Sequence, residues 1–380
     1  MNFKSRLPEV GTSIFTVMSK MAVDHNAINL GQGFPDFPVS EKLIDLIHSK
    51  MKEGHNQYAP MPGTIALRKV IADVVEKTYS RPTDFETEIT IMAGGTEGLF
   101  ASIAALIGEG DEVILFDPSY DSYDPSIRLN GGVPIHINLR PPDFKIDWQE
   151  VEKKISSRTR LIMVNTPHNP LGTILDRDDL QNLERLATNY DLIVLSDEVY
   201  ERIIFEDKTH QSVLRSKALA DRSIAVFSFG KTFHATGWKI GYTVASEKIT
   251  REIKKTHQFI TFSVNTPMQL ALAEYMQDSE NYLHLGKFYQ QKRDFFLNAI
   301  KGTSLKPLAC LGSYFQLMSC DEASSKSDKE MAEWMTKEQK LACIPVSAFY
   351  KDGSDHHLLR FCFAKGEETL LKSGEILRKI

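Results

Sequence analysis

The chain has 380 residues, 42% of them hydrophobic and 25% charged, and carries a formal net charge of −5. That is ordinary globular composition, with length enough for a large core and two domains. The acidic balance argues against a nucleic-acid surface or a polybasic membrane patch, and no apolar run is long enough to span a bilayer.

The first residues, Met1-Asn2-Phe3-Lys4-Ser5-Arg6-Leu7-Pro8, lack the apolar segment of a signal peptide. The first forty-odd residues, up to the turn Phe34-Pro35-Asp36-Phe37-Pro38, read as irregular and are expected to pack on a smaller domain or a partner. From about residue 85 to 245, short β-rich runs alternate with helical patterns. The predicted strands are 88–92, 112–116, 134–138, 161–165, 192–196, 223–228 and 242–245. Helical patterns fall at 97–107, 178–189 and 198–203. Such alternation predicts a mostly parallel seven-stranded sheet covered by helices, with ligands beyond the carboxyl ends of the strands. Residues 250–300 read as long helices with Gly286 as a soft point. Beyond Thr303, strands at 313–318, 343–346 and 357–363 interleave with helices at 327–339 and 367–379, the pattern of a smaller α+β domain. Cys310, Cys320, Cys343 and Cys362 form neither Cys-x-x-Cys nor a zinc spacing, so reduced thiols, no metal and a cytoplasmic location are expected.

The chemically loaded residues follow predicted strands. After the first strand, Gly94-Gly95-Thr96-Glu97-Gly98 opens an apolar helix, and free N–H groups at such a start suit an anion. Thr96 alone would be a common helix cap. Tyr120, in Asp117-Pro118-Ser119-Tyr120, could stack on a flat ring, although a single aromatic more often serves packing. Asn165-Thr166-Pro167-His168-Asn169-Pro170-Leu171-Gly172 is a rigid turn, and a turn does not itself require an asparagine at 169. Asp197 and Tyr200 lie in Ser196-Asp197-Glu198-Val199-Tyr200. An acid there is often a helix cap. It also suits the ring nitrogen of a pyridine cofactor, with Tyr200 and Asn169 donating to the ring's phenolate oxygen.

Lys231 sits in Ser228-Phe229-Gly230-Lys231-Thr232-Phe233-His234-Ala235-Thr236-Gly237-Trp238-Lys239-Ile240-Gly241. Gly-Lys-Thr is not a nucleotide P-loop, because position 225 is alanine where that motif needs glycine. Small neighbours, expected burial and a second cation suit a lysine whose pKa falls until its neutral amine can attack an aldehyde. Ser228 and Lys239, flanking Lys231, would add to a phosphate site at Gly95 and Thr96. Arg360 lies inside the apolar strand Leu358-Leu359-Arg360-Phe361-Cys362-Phe363. It suits a bidentate grip on a carboxylate, with an internal salt bridge as the plainer reading.

Taken together, these segments resemble the pyridoxal 5'-phosphate (PLP)-dependent aminotransferases of fold type I. The resemblance runs from Asn29-Leu30-Gly31-Gln32-Gly33-Phe34-Pro35-Asp36 to Arg360. The nearest branch holds methionine aminotransferases and kynurenine–oxoglutarate (glutamine) aminotransferases. Asn56-Gln57-Tyr58-Ala59-Pro60, Phe116-Asp117-Pro118-Ser119-Tyr120-Asp121-Ser122-Tyr123 and Thr261-Phe262-Ser263-Val264-Asn265-Thr266-Pro267 are similar to bacterial methionine aminotransferases. The resemblance implies a large domain at 48–280, a small domain at 281–380, and an N-terminal segment at 1–47 packing on the small one. It implies that Lys231 holds the cofactor and moves protons, and that Asp197 pairs with its ring nitrogen. Asn169 and Tyr200 would bond the ring oxygen, Tyr120 would stack, and Gly95, Thr96, Ser228 and Lys239 would hold the phosphate. Tyr58 would reach the phosphate of the other subunit of a homodimer. Arg360, with Gly33 and Asn169 nearby, would take the substrate's α-carboxylate.

Lysine at 239 matches this branch, where aspartate-type members place arginine. No second arginine stands out for a side-chain carboxylate, and a wall of Phe34, Tyr120 and Phe349 would favour apolar, sulfur-containing or aromatic donors. The function implied is ping-pong transfer of the amino group of such amino acids to a 2-oxo acid. Elimination from cysteine S-conjugates is the alternative on the same scaffold. A PLP-binding DNA regulator is remote, since the resemblance begins near residue 7.

Overall fold

The computed structural model describes residues 4–380; Met1, Asn2 and Phe3 of the expected N-terminal segment lie outside the described residues. Seven strands form the central sheet: β1 Ile89–Met92, β2 Glu112–Asp117, β3 Val133–Asn138, β4 Thr159–Asn165, β5 Ile193–Asp197, β6 Ser223–Ser228 and β7 Gly241–Ala245. Their spatial order is β1-β7-β6-β5-β4-β2-β3, and only β7 runs antiparallel to its neighbours. β1, β2 and β7 are buried along their whole length. Helices cover both faces, which is why the sequence shows continuous apolar runs there instead of alternation. One core cluster, with Leu99, Ile103, Val113 and Leu161, lies on one face. A larger one, with Leu67, Ile114, Val164 and Val194, continues into the C-terminal part.

A four-stranded antiparallel sheet follows, in the order Ile344–Pro345, Leu358–Cys362, Phe315–Ser319, Lys306–Pro307. Helices Asp328–Lys337 and Glu367–Leu377 stand where sequence placed them, three and two residues shorter.

Three expectations are corrected. Residues Ile14–Asp24 form a helix capped by Ser13, where irregular chain was expected. This helix packs on helix Asp328–Lys337, and Ile28–Asn29 pairs in parallel with Leu341–Ala342. The pattern at 198–203 is a set of turns, because the Glu198 carboxylate is held by His210 Nε2 (2.7 Å) and by Val213 N (3.1 Å). Gly286 is no soft point. The helical run breaks at His284 instead; Gly286 is the second residue of helix Leu285–Ala299, and a Cβ there would lie 2.8 Å from Ile204 O, so glycine permits close packing.

The end of β2 is braced by a charge cluster. His136 faces Asp117 Oδ2 at 2.9 Å and Asp124 Oδ2 at 3.0 Å, and Lys351 N also donates to Asp117 (2.8 Å). Burial alone would lower the His136 pKa, but bonds to Asp117 and Asp124 outweigh it and raise it to about 9. A histidine raised in this way stabilises the fold fully below pH ~6.5 and loses that contribution as pH climbs through its folded value. The His136→Asn variant should therefore lose less melting temperature than the parent between pH 6.5 and pH 9. Thermal melts at three pH values check this, and parallel curves would show that the cluster contributes nothing.

Candidate active site

The elements above converge on one cavity of about 270 Å³ at the carboxyl ends of the strands. Gly33, Gly95, Thr96, Tyr120, Asn169, Asp197, Tyr200, Ser228, Lys231, Lys239 and Arg360 all line it. Because β7 is antiparallel, Lys239 just before it arrives at the same edge.

Lys231 is held at the bottom. Its Nζ donates to Tyr314 Oη at 2.9 Å and lies 5.2 Å from the centre of the Tyr200 ring. Burial lowers its pKa to about 8, and Arg360 and Lys239 push the same way against Asp197 and Cys362. A usable fraction of neutral amine therefore exists near neutral pH.

Asp197, at the end of β5, is 4% exposed. Its Oδ2 accepts from Tyr123 Oη at 2.6 Å and its Oδ1 from Val199 N at 3.3 Å, while no cation pairs with it directly among the described residues. Burial raises its pKa to about 6, and the Tyr123 bond works in the opposite direction. Losing a bond to an ionised group costs about 1.5–3 kcal/mol, or roughly one pKa unit or more. The Tyr123→Phe variant should accordingly titrate Asp197 at least about one unit higher. Isotope-edited infrared spectroscopy of the carboxyl band would show it, and an unchanged midpoint would remove Tyr123 from the account.

Arg360 is fully buried. It donates to Asn169 Oδ1 and to Gly31 O, both at 2.7 Å, and lies 3.9 Å over the Phe315 ring. The internal salt bridge that sequence left open does not form among the described residues, and Nε has no partner. A buried guanidinium that faces a cavity and is paired with no acid among the described residues is arranged for a carboxylate from outside.

At the other end of the cavity lies an anion cradle. Gly94 has φ +85°, and a Cβ on it would come within 3.4 Å of Lys239 Nζ. Helix Gly95–Leu106 begins there with free N–H groups and no side-chain cap. The Ser228 hydroxyl makes no cap bond either, and Lys239 has no acidic partner among the described residues. Glu97 turns back to accept from Ala93 N (3.0 Å) and from buried His257 (2.9 Å), which fixes the turn.

Tyr58 stands apart. It is 81% exposed and edge-on to Phe262, outside its own chain's cavity. Phe34 does not form the wall expected of it; it lies 46% exposed beneath Lys365 Nζ. Phe15 from the unforeseen N-terminal helix lines the cavity instead, with Phe315. Phe349 packs behind Arg360 and against Phe15. Tyr123 and Tyr314 were also missed. Each follows a serine, Tyr123 at the start of a short helix and Tyr314 just before a strand, a signal too common to single them out.

A neutral amine, a buried acid, an anion cradle and an arginine awaiting a carboxylate suit an enzyme that takes the amino group from an α-amino acid. The family model for aminotransferase class I and II matches residues 25–374. The chain belongs to that family, whose members are PLP-dependent, and is an aminotransferase. It is 49% identical to methionine aminotransferase of Escherichia coli (strain K12), over 99% of this chain and 98% of that one. It is 36% identical to kynurenine–oxoglutarate transaminase 3 of Mus musculus, over 98% and 89%. Its fold matches the crystal structure of YbdL from Escherichia coli, a methionine aminotransferase, with TM-score 0.98, 48% identity and full coverage of both chains. N-Succinyldiaminopimelate aminotransferase from Mycobacterium tuberculosis matches with TM-score 0.95 and 30% identity, again over both chains.

Proposed function

We propose that this chain is a PLP-dependent aminotransferase for methionine-like and aromatic amino acids, acting as a homodimer in the cytoplasm. The observation that carries the substrate reading is the cavity wall. Phe15, Tyr120, Ile240 and Phe315 line it, and Arg360 is its only arginine among the described residues. One carboxylate can be paired, and an acidic side chain would find no second partner. The relatives named for methionine and kynurenine support the same class.

The residues present fit the cofactor. Its phosphate suits the cradle of Gly95, Thr96, Ser228 and Lys239, which holds no internal anion, and its ring nitrogen suits Asp197. Bound pyridoxal phosphate would supply an aldehyde to receive the amino group and a ring that draws electrons from the substrate's Cα. Lys231 would attach to that aldehyde carbon in the resting enzyme and, once displaced, take and return the proton at Cα. Asp197 would keep a proton on the pyridine nitrogen. Asn169, with Oδ1 committed to Arg360, has Nδ2 free to bond the ring oxygen beside Tyr200. Tyr120 would stack on the ring, its hydroxyl kept neutral by burial, which raises its pKa to about 12. Arg360 would orient the α-carboxylate and Tyr58 would serve the partner's phosphate. We place the cofactor-bearing unit at 48–280 and the small unit at 281–380, with 1–47 packed on the latter.

The test is absorbance of the purified, PLP-loaded protein before and after methionine, with no acceptor added. The visible band should be lost with methionine or phenylalanine and kept with aspartate. A band that ignores methionine moves the substrate elsewhere, and no band at all refutes the cofactor reading. Pyruvate and ammonia released from a cysteine conjugate would favour the lyase alternative.

A further inference from the structure

A second cavity, of about 340 Å³, lies behind the first. It is bounded by the end of β2, the loop at 139–146, the residues after the Asn165–Gly172 turn, and Leu311. Its walls are mostly apolar, with Phe116, Leu139, Phe144, Met163, Leu175 and Leu311 among them. The charges at its edge nearly cancel, since Asp143, Asp176 and Asp179 face Lys145 and Lys208. Asp179 is already engaged by Trp148 Nε1 (2.9 Å) and by its own helix cap.

One polar side chain in this cavity is unexplained. His168 is 7% exposed, lines the cavity, and its Nδ1 has no hydrogen-bond partner. Its backbone is fixed by bonds between His168 N and Thr173 O (2.8 Å) and between Gly172 N and His168 O (2.9 Å). Burial lowers its pKa to about 3, so the ring is neutral near pH 7 and offers one N–H and one lone pair. A buried polar group left without a partner is costly.

The two cavities share Tyr123 and Asn165 as a wall. Tyr123 donates to the Asp197 carboxylate at 2.6 Å. Asn165 donates to Asp197 O at 2.9 Å and accepts from Asn169 N at 2.7 Å. Whatever presses on this wall presses on the residues that set Asp197 and Asn169.

We propose that this cavity is a second small-molecule site, for a neutral single-ring compound bearing one hydroxyl or N–H, such as a phenol or an indole. Its ring fills the apolar walls, its polar group bonds His168, and its presence is transmitted to Asp197 through Tyr123 and Asn165. An amino acid does not fit, because the cavity offers its carboxylate no buried cation. The binding claim stands independently of the proposed function, while the transmission claim rests on it.

The probe is p-cresol, titrated calorimetrically into the full chain with and without pyridoxal phosphate. Binding is expected in the millimolar range or tighter, as suits so small a ligand. Ile174 is half-buried and lines only this cavity. The Ile174→Trp variant should weaken p-cresol at least about tenfold, by filling the space, and its kcat should no longer respond to added p-cresol. His168→Phe should weaken p-cresol and leave toluene binding intact. Saturating methionine should not displace p-cresol, and p-cresol should change kcat by about twofold or more. Binding undiminished in Ile174→Trp, displacement by methionine, or no binding up to the solubility of p-cresol would each overturn the site. Binding without any change in kcat would overturn the transmission to Asp197 alone.

Discussion

Replacing Lys231 by alanine is expected to lower kcat by at least about a thousandfold, the scale of a lost acid–base group compounded by loss of the covalent link. The same change should leave the unliganded protein folded. In the parent, a buried amine whose pKa has fallen from 10.5 to about 8 destabilises the fold wherever it is charged. The sign follows from proton linkage. Between those two values the unfolded chain binds more protons, so parental stability rises with pH across that window. Below about pH 8 the penalty is fully present, and removing the amine relieves up to roughly 3 kcal/mol. The small void left and the lost partner of Tyr314 take part of this back. Single-turnover and steady-state rates, with urea melts at pH 7 and pH 10, test both halves. A variant that retains multiple turnover sinks the assignment of Lys231, and one that fails to fold shows that its amine is structural.

The sheet was legible because its strands are apolar on both faces and bounded by turn residues, so Ser223–Ser228 appears in the structure with the bounds expected for it. The site was legible for a related reason. A parallel sheet delivers the residues at and just after each strand's end to one edge; Asp197 ends a strand, and Tyr120, Asn169 and Lys231 follow one. What sequence did not reveal depends on contacts between distant segments. Tyr123 matters because it reaches Asp197, 74 positions away, and Tyr314 because it links Lys231 to Gly33 O. Neither side chain differs in kind from a packing tyrosine. The N-terminal helix is another case. Ser13 followed by Ile14, Phe15, Met18, Met21 and Ala22 carries both a cap and a helical period, so the signal was present, but the length of irregular chain around it obscured it. Glu198–Ile203 is the reverse, a helical pattern overridden when the buried Glu198–His210 pair claimed the first residue.

Replacing Arg360 by methionine should separate function from stability in the sharpest way. A structural arginine is paired with an acid, and its removal strands a buried charge at a cost of about 3–5 kcal/mol. Arg360 has no acid to strand. Its guanidinium is desolvated, which lowers its pKa, and it is held by an amide oxygen, a carbonyl and the face of Phe315. Methionine would leave Asn169 Oδ1 and Gly31 O without a donor, a loss of about 1–3 kcal/mol each. It would also abolish a desolvation penalty of several kcal/mol and keep most of the packing volume. These terms oppose one another, so unfolding free energy should change by less than about 2 kcal/mol. Substrate recognition has no such compensation. An α-carboxylate entering the variant would lose the guanidinium that pairs with it, and kcat/KM for methionine should fall by two to three orders of magnitude, on the scale of about 2–5 kcal/mol for a broken buried charge pair. Arg360→Lys keeps the charge but not the planar fork and should lie between the two. Thermal melts beside kcat/KM for methionine decide it. A destabilisation above about 4 kcal/mol with near-normal kcat/KM would make Arg360 a structural ion and move the carboxylate site elsewhere.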